Sequence, residues 1–525
     1  MNAAVKRALV SVTDKGGLDA FVRELARRGV EILASGGTAR AITSAGVAVR
    51  EIEDVTGFPE IMDGRVKTLH PKIHGGILAD RDKKSHIAQA EKHGIRLIDL
   101  VVVNLYRFGR AAANAALTER EIVEEIDIGG PALIRACAKN YHSTAVAVDP
   151  ADYAEVLRAM DEHEGVIPLE MRRRLAAKAF YHTAAYDAAI SRWFERLVAP
   201  GELPERRASA YRRIQTLRYG ENPHLRGGLY RLDGSDRGLA GLDQVQGKEL
   251  SYNNIQDLHA AFLLARDLGR NSCAVIKHMN PCGAGVSATA ADSCRRARIT
   301  DEASAFGSVV AANDVAGRAF AEACADIFLE VIVARGFDAD ALEIFSKRKN
   351  LRLVSIPDGD WDGEDRSFVG REIGNLLLLQ DRDEGFPEID SWRVVTSRRP
   401  TADEERAMGI AWRIAKHVKS NAIVICNGTG TIGVGAGQMS RVDSCRIAVD
   451  KARRAGLALE GTAAGSDAFF PFPDGVETLA AAGVTAIAQP GGSIRDAEVS
   501  PLRSVLTPML TVMPSVSFVG RPSST

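Results

Sequence analysis

The feature that most constrains this chain is an alternation in its first 150 residues, where short apolar runs are each followed by a small-residue loop and a stretch of helical period. RALVSV (residues 7–12) leads through a loop into a periodic stretch over 17–28, and VEILAS (30–35) leads through SGGTAR into another. LIDLVVVNL (97–105) and TAVAV (144–148) have the same apolar character. Such runs belong to strands buried on both faces, so the pattern predicts a parallel sheet with helices on each side. Ligands of these sheets sit beyond the carboxyl ends of the strands, which directs attention to the loops that begin at Ser11, Ser35 and Asn104.

The chain has 525 residues, too many for one core. A long helical pattern over 168–197 gives way to VAPGELPERRAS, which loses periodicity and gains proline and charge. We therefore expect a first domain over 1–197, a linker over 198–210 and a second α/β domain over 211–525 that has room for two subdomains. IPDGDWDGEDR (356–366) reads as a surface loop. With 67 basic and 68 acidic residues the formal charge is -1, which argues against a bulk nucleic-acid binder. No run of about 18 apolar residues is present, so no membrane partner is expected. The seven cysteines (137, 273, 282, 294, 324, 426 and 445) contain no C-x-x-C pair and read as reduced, buried thiols of a cytoplasmic protein.

In the first domain, SVTDKGG (11–17) and SGGTAR (35–40) each follow a strand and open a helix. Their hydroxyls and backbone N–H groups suit an anion at a helix N-terminus, although N-capping with a glycine turn accounts for the same residues. Neither has P-loop spacing. GRVKTLHPKIHGG (64–76) crowds Arg65, Lys67, His70, Lys72 and His74 together, either as a shaped anion site or as a solvated basic loop. DIGGPALIRACAKN (127–140) offers Asp127, a Gly-Gly turn and then Lys139 one helix length later. The plainer reading is a capping acid and an exposed cation.

The second domain opens with LRYGENPH (217–224), where Arg218 offers a phosphate fork and Tyr219 a flat face. In LSYNNIQD (250–257) the asparagines either cap a helix or bind. AVIKHMNPCGAG (274–285) sets Lys277 and His278 at a strand end before an Asn-Pro turn, and SAFGS (304–308) and FLEVIVARG (328–336) add Phe306 and Glu330. Gly428, Gly430 and Gly433 fit G-x-G-x-x-G formally. The residues after Gly430 alternate as TIGVGAG, like a strand, so the segment predicts a hairpin turning at Asn427-Gly428 rather than a dinucleotide site.

SVTDKGGL, SGGTA, GRVKTLHPKIHGG, NLYRF and DIGGPALIRACAKN together resemble the signature loops of inosine monophosphate (IMP) cyclohydrolase over about residues 5–197. The second-domain segments, with SDAFFPFPDGVE (466–477) and IAQPGGSIRD (487–496), are similar to aminoimidazole carboxamide ribonucleotide (AICAR) transformylase. These are the two halves of the bifunctional purine biosynthesis family. The resemblance implies a methylglyoxal-synthase-like domain followed by a duplicated cytidine-deaminase-like α/β/α domain. It implies formyl transfer from 10-formyltetrahydrofolate to AICAR, giving FAICAR, and ring closure of FAICAR to IMP. A homodimer with shared transformylase sites is implied too. The deaminase zinc signature H-x-E…P-C-x-x-C is absent, so no metal is expected.

By the same resemblance, Ser11, Lys15, Ser35, Gly37, Thr38, Arg65 and Thr68 contact phosphate and ribose, while Lys67, Tyr106, Asp127 and Lys139 are the catalytic positions of ring closure. Lys277 and His278 become a proton-transfer pair assisted by Asn427. Arg218, Tyr219, Asn254, Phe306 and Gly307 belong to the ribotide site, and Glu330 recognises the folate or ribotide amine. Departures from the family are Cys426 in place of a lysine, Arg107 for a proline and Leu225 for a glutamine. In the tail, prolines 501, 508, 514 and 522 stand where the family continues with a helix, a strand and a phosphate-binding terminus, and such spacing cannot continue a long helix. The other readings are a nucleotide-binding regulator without catalysis, a cyclohydrolase alone, and a deaminase-like zinc hydrolase, which the missing ligand set argues against.

Overall fold

The computed structural model describes residues 3–62, 65–106, 108–235, 238–362, 368–386, 392–396, 398–490 and 510–513. Arg107, residues 363–366, the end of IAQPGGSIRD and all of the tail but 510–513 lie outside the described residues. The chain divides into two compact units, one of residues 1–212 and 232–234, the other of residues 213–231 and 235–525.

In the first unit the apolar runs become β1 (Arg7–Ser11), β2 (Glu31–Ala34), β4 (Leu100–Val103) and β5 (Ala145–Ala147). A fifth strand, β3 (Arg50–Glu51), is exposed at the edge. All pair in parallel in the order β3-β2-β1-β4-β5. Successive side chains point to opposite faces. Ala8, Val10, Ile32 and Val102 join one core, whereas Leu9, Leu33, Val101 and Val103 join the other. The helix Leu18–Arg27 covers the first face through Phe21, Val22 and Leu25, and the helix Gly129–Lys139 covers the second through Leu133, Ile134 and Cys137. The long helix Leu169–Val198 ends the unit's helices, and β6 (Tyr211–Leu217) is the next regular element.

β6 pairs with β7 (Gly227–Leu232) outside the main sheet of the second unit. That sheet is assembled from β8 (Asp243–Gln246), β9 (Ser272–Lys277), β10 (Asn280–Val286), β11 (Ser308–Ala316), β12 (Leu329–Phe337) and β13 (Arg352–Ser355). After a separate hairpin of β14 (Val369–Ile373) and β15 (Leu376–Gln380) come β16 (Arg393–Val394), β17 (Ile423–Asn427), β18 (Gly430–Gly435), β19 (Thr462–Ser466), β20 (Val484–Ala488) and β21 (Leu510–Met513). Among the described residues the sheet has twelve strands in the order β16-β21-β20-β19-β17-β18-β10-β9-β11-β12-β13-β8.

Outward from its centre, the sheet repeats itself. β10-β9-β11-β12-β13 is antiparallel, antiparallel, parallel, parallel, and β18-β17-β19-β20-β21 has the same senses. The unit is therefore a duplication, with β21 standing where β13 stands in the other half. The glycine runs are explained by packing. A Cβ on Gly285 would overlap the Ser293 carbonyl of the helix Ala290–Arg298, and one on Gly435 would overlap the Ser444 carbonyl of the helix Arg441–Arg454. Only glycine lets these helices lie so close to the central strands. The G-x-G-x-x-G match is thus strand packing, as the alternation predicted.

Two sequence expectations need correction. The hairpin turn is Gly428-Thr429, one residue later than expected, because Asn427 still pairs with Gly430. The loop expected at 356–366 instead contains a short helix, Asp358–Asp362, with Trp361 buried. Arg335, buried in β12, donates to Asp358 and Asp362 and so pulls the polar segment onto the sheet.

Candidate active sites

In the first unit, strand order reverses between β1 and β4, and open α/β sheets bind ligands at that point. Asn104, buried directly after β4, shapes the β1 loop. Its Oδ1 accepts from Thr13 N at 2.7 Å and Asp14 N at 2.9 Å, and its Nδ2 donates to Asp14 O at 2.9 Å. Ser11 ends β1 and Lys15 extends, exposed, from the loop. Thr38 is turned inward, its hydroxyl engaged with Val12 N and Val12 O at 3.1 Å each. It is a staple between loop and helix, with its hydroxyl already committed.

Ser35 is the N-cap of the helix Gly36–Ser44, yet its side chain makes no cap hydrogen bond, and Gly37 is exposed in the first turn. A Cβ on Gly36 would lie 3.5 Å from Lys67 Nζ, so the ammonium stands over this helix N-terminus, tethered to Glu60 at 2.8 Å. A helix N-terminus and an ammonium facing the same space favour an anion between them. Arg65 is exposed and pairs with Glu124.

Thr68, buried, lies beside Gly129, since a Cβ there would come within 3.0 Å of its hydroxyl. His70 caps the helix Pro71–Leu78 by accepting from Lys72 N. At the other end of that helix, Asn140 donates to Ile77 O at 2.7 Å and Ala79 O at 3.0 Å. The Pro71 and Gly129 helices therefore run in the same direction, with their N-termini together. Asp127 accepts from Gly130 N at 2.8 Å, and its own N–H donates to Tyr186 Oη at 2.7 Å. Burial raises the Asp127 carboxyl above its ordinary range, against the pull of the Gly130 and Gly129 N–H groups. Tyr106 projects from the loop after β4 and is 44% exposed.

Three basic residues fall outside this gathering. Lys72 Nζ donates to Val55 O and Thr56 O, and His74 packs inward with no partner for Nε2 among the described residues. Lys139 is the last residue of its helix, ten positions after Gly129, or about 15 Å along the axis. The structure does not bring it to Asp127, because one straight helix separates them.

In the second unit, β9 and β10 are joined by His278 and Met279, both left-handed, with φ of 53° and 61°. Lys277 Nζ donates to Phe306 O at 2.7 Å, and the Phe306 ring is 60% exposed and 5.3 Å from Phe328. Gly307 N bonds Phe328 O at 2.8 Å. On the helix Tyr252–Leu268, Asn254 is buried in a capping box with Ser251, which is the plainer of its two sequence readings. Its neighbour Asn253 reaches Glu221 O at 3.2 Å, tying in the loop of Arg218 and Tyr219, whose side chains stack at 5.7 Å. Asp257, one helical turn further along and not singled out in the sequence, accepts from Met279 N at 2.6 Å. Glu330 is half-buried and paired with Arg352 at 2.7 Å.

Asn427 is not part of this gathering within one chain. Its turn abuts the far end of β10, where Val286 N donates to Thr429 O at 2.8 Å. The His278 turn is at the opposite end, six residues or about 20 Å of strand away. The duplication dictates this, since two antiparallel central strands put their hairpin turns at opposite ends. All seven cysteines are free and buried. Among the described residues no three His, Cys, Asp or Glu are placed to hold a metal ion, and no helix is long and apolar enough to cross a membrane.

The family model for the AICARFT/IMPCHase bienzyme matches residues 137–451, and that for the MGS-like domain matches residues 17–132. The chain belongs to the AICARFT/IMPCHase bienzyme family. It is 49% identical over 508 residues to the bifunctional purine biosynthesis protein PurH of Roseobacter denitrificans, covering 95% of each chain. Identity to the protein of the same name from Acidithiobacillus ferrooxidans is 48% over 499 residues, covering 94% of this chain and 95% of that one. A third, from Dinoroseobacter shibae, is 49% identical over 506 residues, with 94% and 95% covered. The fold read from the first 150 residues is thus the family's MGS-like domain, and the bienzyme match runs through the first half of the duplicated sheet and into the second as far as the helix Arg441–Arg454.

Proposed function

We infer that this chain is a bifunctional formyltransferase and IMP cyclohydrolase that performs the last two steps of IMP synthesis. AICAR accepts a formyl group on its 5-amino nitrogen to give FAICAR, which closes with loss of water to IMP. The observation that carries this reading is coverage, because the relatives align across both units rather than one.

The finer assignments are ours. Residues 1–197 carry ring closure, 198–210 link, and 211–525 carry formyl transfer in two cytidine-deaminase-like halves. In ring closure the carboxamide nitrogen attacks the formyl carbon of the same molecule, so holding the reactive conformer supplies most of the rate. Ser11, Lys15, Ser35, Gly37, Arg65 and Thr68 hold phosphate and ribose. Lys67, over a helix N-terminus, stabilises the developing oxyanion, and the raised proton affinity of Asp127 suits it to move a proton beside Tyr106.

In formyl transfer His278 takes the proton of the attacking amine, and Lys277 polarises the formyl oxygen. Arg218, Tyr219, Asn254, Phe306, Gly307 and Glu330 surround the ribotide and donor. The donor is 10-formyltetrahydrofolate, whose nitrogen leaves. Asn427 reaches this chemistry from a second subunit, which the 20 Å separation along β10 supports and a homodimer supplies. The location is cytoplasmic. The test is to follow both half-reactions on the whole chain. His278→Ala abolishes formyl transfer and spares closure of supplied FAICAR. Loss of both in a folded variant refutes separate sites.

A further inference from the structure

We infer that Asp257 is a positioning residue for formyl transfer, its carboxylate holding the left-handed His278–Met279 turn so that Lys277 and His278 keep their aim. The inference rests on the assignment of formyl transfer to that pair.

A two-residue hairpin with positive φ at both positions favours glycine or asparagine. Here the positions are histidine and methionine, at φ of 53° and 61°. Cβ-bearing residues stay in this region when their surroundings hold them there. Asp257 is that hold. Its Oδ1 accepts from Met279 N at 2.6 Å, and the carboxylate also takes the His278 N–H. From the other side, Asn280 Nδ2 donates to His278 O at 3.1 Å, and Asn280 is itself fixed by Lys419 N at 2.9 Å. The N–H groups of the turn are gripped by the helix Tyr252–Leu268 and one carbonyl by the next strand. Lys277, immediately before the turn, is steadied by Phe306 O.

The duplicated half supplies an internal comparison. There Asn427 occupies the place of Lys277, and its own Oδ1 accepts from Thr429 N at 2.9 Å and Gly430 N at 3.1 Å, so that turn holds itself. A lysine cannot accept a hydrogen bond, so the first half takes its acceptor from the neighbouring helix. The corresponding helix of the second half, Ala402–Ala415, brings Arg406 to its turn, with Cδ 3.3 Å from where a Gly428 Cβ would be. The carboxylate is therefore peculiar to the half that presents the Lys-His pair.

The experiment measures kcat and KM of formyl transfer on the full-length chain with AICAR and 10-formyltetrahydrofolate, with circular dichroism and the denaturant midpoint as the control for folding and closure of supplied FAICAR as the control for the other site. Asp257→Ala lowers kcat about 100-fold, the scale of loss from a small misplacement, while KM for AICAR stays within about threefold and ring closure is unchanged. Asp257→Asn, which keeps an acceptor oxygen, recovers most of the loss. Asp257→Ala with Met279→Gly recovers about tenfold over Asp257→Ala, because glycine adopts positive φ unaided. A kcat of Asp257→Ala within threefold of the parent overturns the proposal, as does Asp257→Asn no better than Asp257→Ala, or no recovery on adding Met279→Gly. Should Asp257→Ala not fold, Asp257→Glu replaces it, with the same rescue by Met279→Gly deciding. His278→Ala run in parallel separates the two levels. If it keeps formyl transfer, the assignment of the pair fails, whatever Asp257 does.

Discussion

Asp127 is pulled in two directions, since burial favours its protonated form and the N–H groups at the start of the Gly129 helix favour the carboxylate. The balance depends on a glycine. A Cβ on Gly130 would stand 2.5 Å from Asp127 Oδ2 and 2.6 Å from Leu105 Cδ2. We predict that Gly130→Ala displaces the carboxylate and lowers kcat of ring closure by about tenfold or more, leaving formyl transfer intact. Lys139 is the matching control. Its place at the far end of the same helix predicts that Lys139→Ala keeps ring closure within about threefold, under 1 kcal/mol of barrier. Steady-state rates of both variants on FAICAR check this, and a large loss in Lys139→Ala would return that lysine to the site. The residues around Asp127 were legible because motif and loop coincide there. The motif spacing set Lys139 one helix length from Asp127, and the structure has it as the last residue of that helix.

Among the elements, the helix Ala402–Ala415 shows most clearly how a cap becomes a tertiary lock. Thr401 and Glu404 form a capping box, and Glu404 also takes both nitrogens of the Arg398 fork, at 2.7 and 2.8 Å, and the Thr485 hydroxyl at 2.7 Å from β20. Burial pushes the Glu404 carboxyl up, but these donors outweigh it and hold it at about 2. A depressed folded pKa contributes stability that is present above the unfolded value of about 4.3 and is lost as pH falls through about 2. Glu404→Gln is therefore expected to be less stable than the parent at pH 7, by roughly 1–3 kcal/mol, with the gap closing between pH 4 and 2. Denaturant midpoints across that range test it, and a gap independent of pH would show that the ionised form is not what the lock uses. The Thr-x-x-Glu spacing of this capping box is local to residues 401–404. Its link to Thr485, 81 residues on, is made only by the fold.

For the whole molecule, the buried residues of both first-unit cores fall between Val5 and Trp193. We predict that a fragment of residues 1–200 folds and closes FAICAR within about tenfold of the parent rate, with no formyl transfer. Circular dichroism and the cyclisation assay decide, and an unfolded fragment would mean that the unit borrows stability from the rest of the chain. The sequence by itself determined the parallel sheet of the first unit, because uninterrupted apolar runs have no stable place except between two layers. It also determined that the glycine-rich hairpin is no nucleotide site, because strand alternation continues past those glycines. β3, two exposed residues at an edge, left no such pattern. Tertiary structure alone decided what lies near what. It gathered Lys67, Thr68 and Asp127 around converging helix ends and set Asn427 about 20 Å of strand from His278. The reason is physical. Local periodicity records which face of an element is buried, whereas the direction of packed helices and the duplication of a sheet are fixed by contacts between residues far apart in the chain.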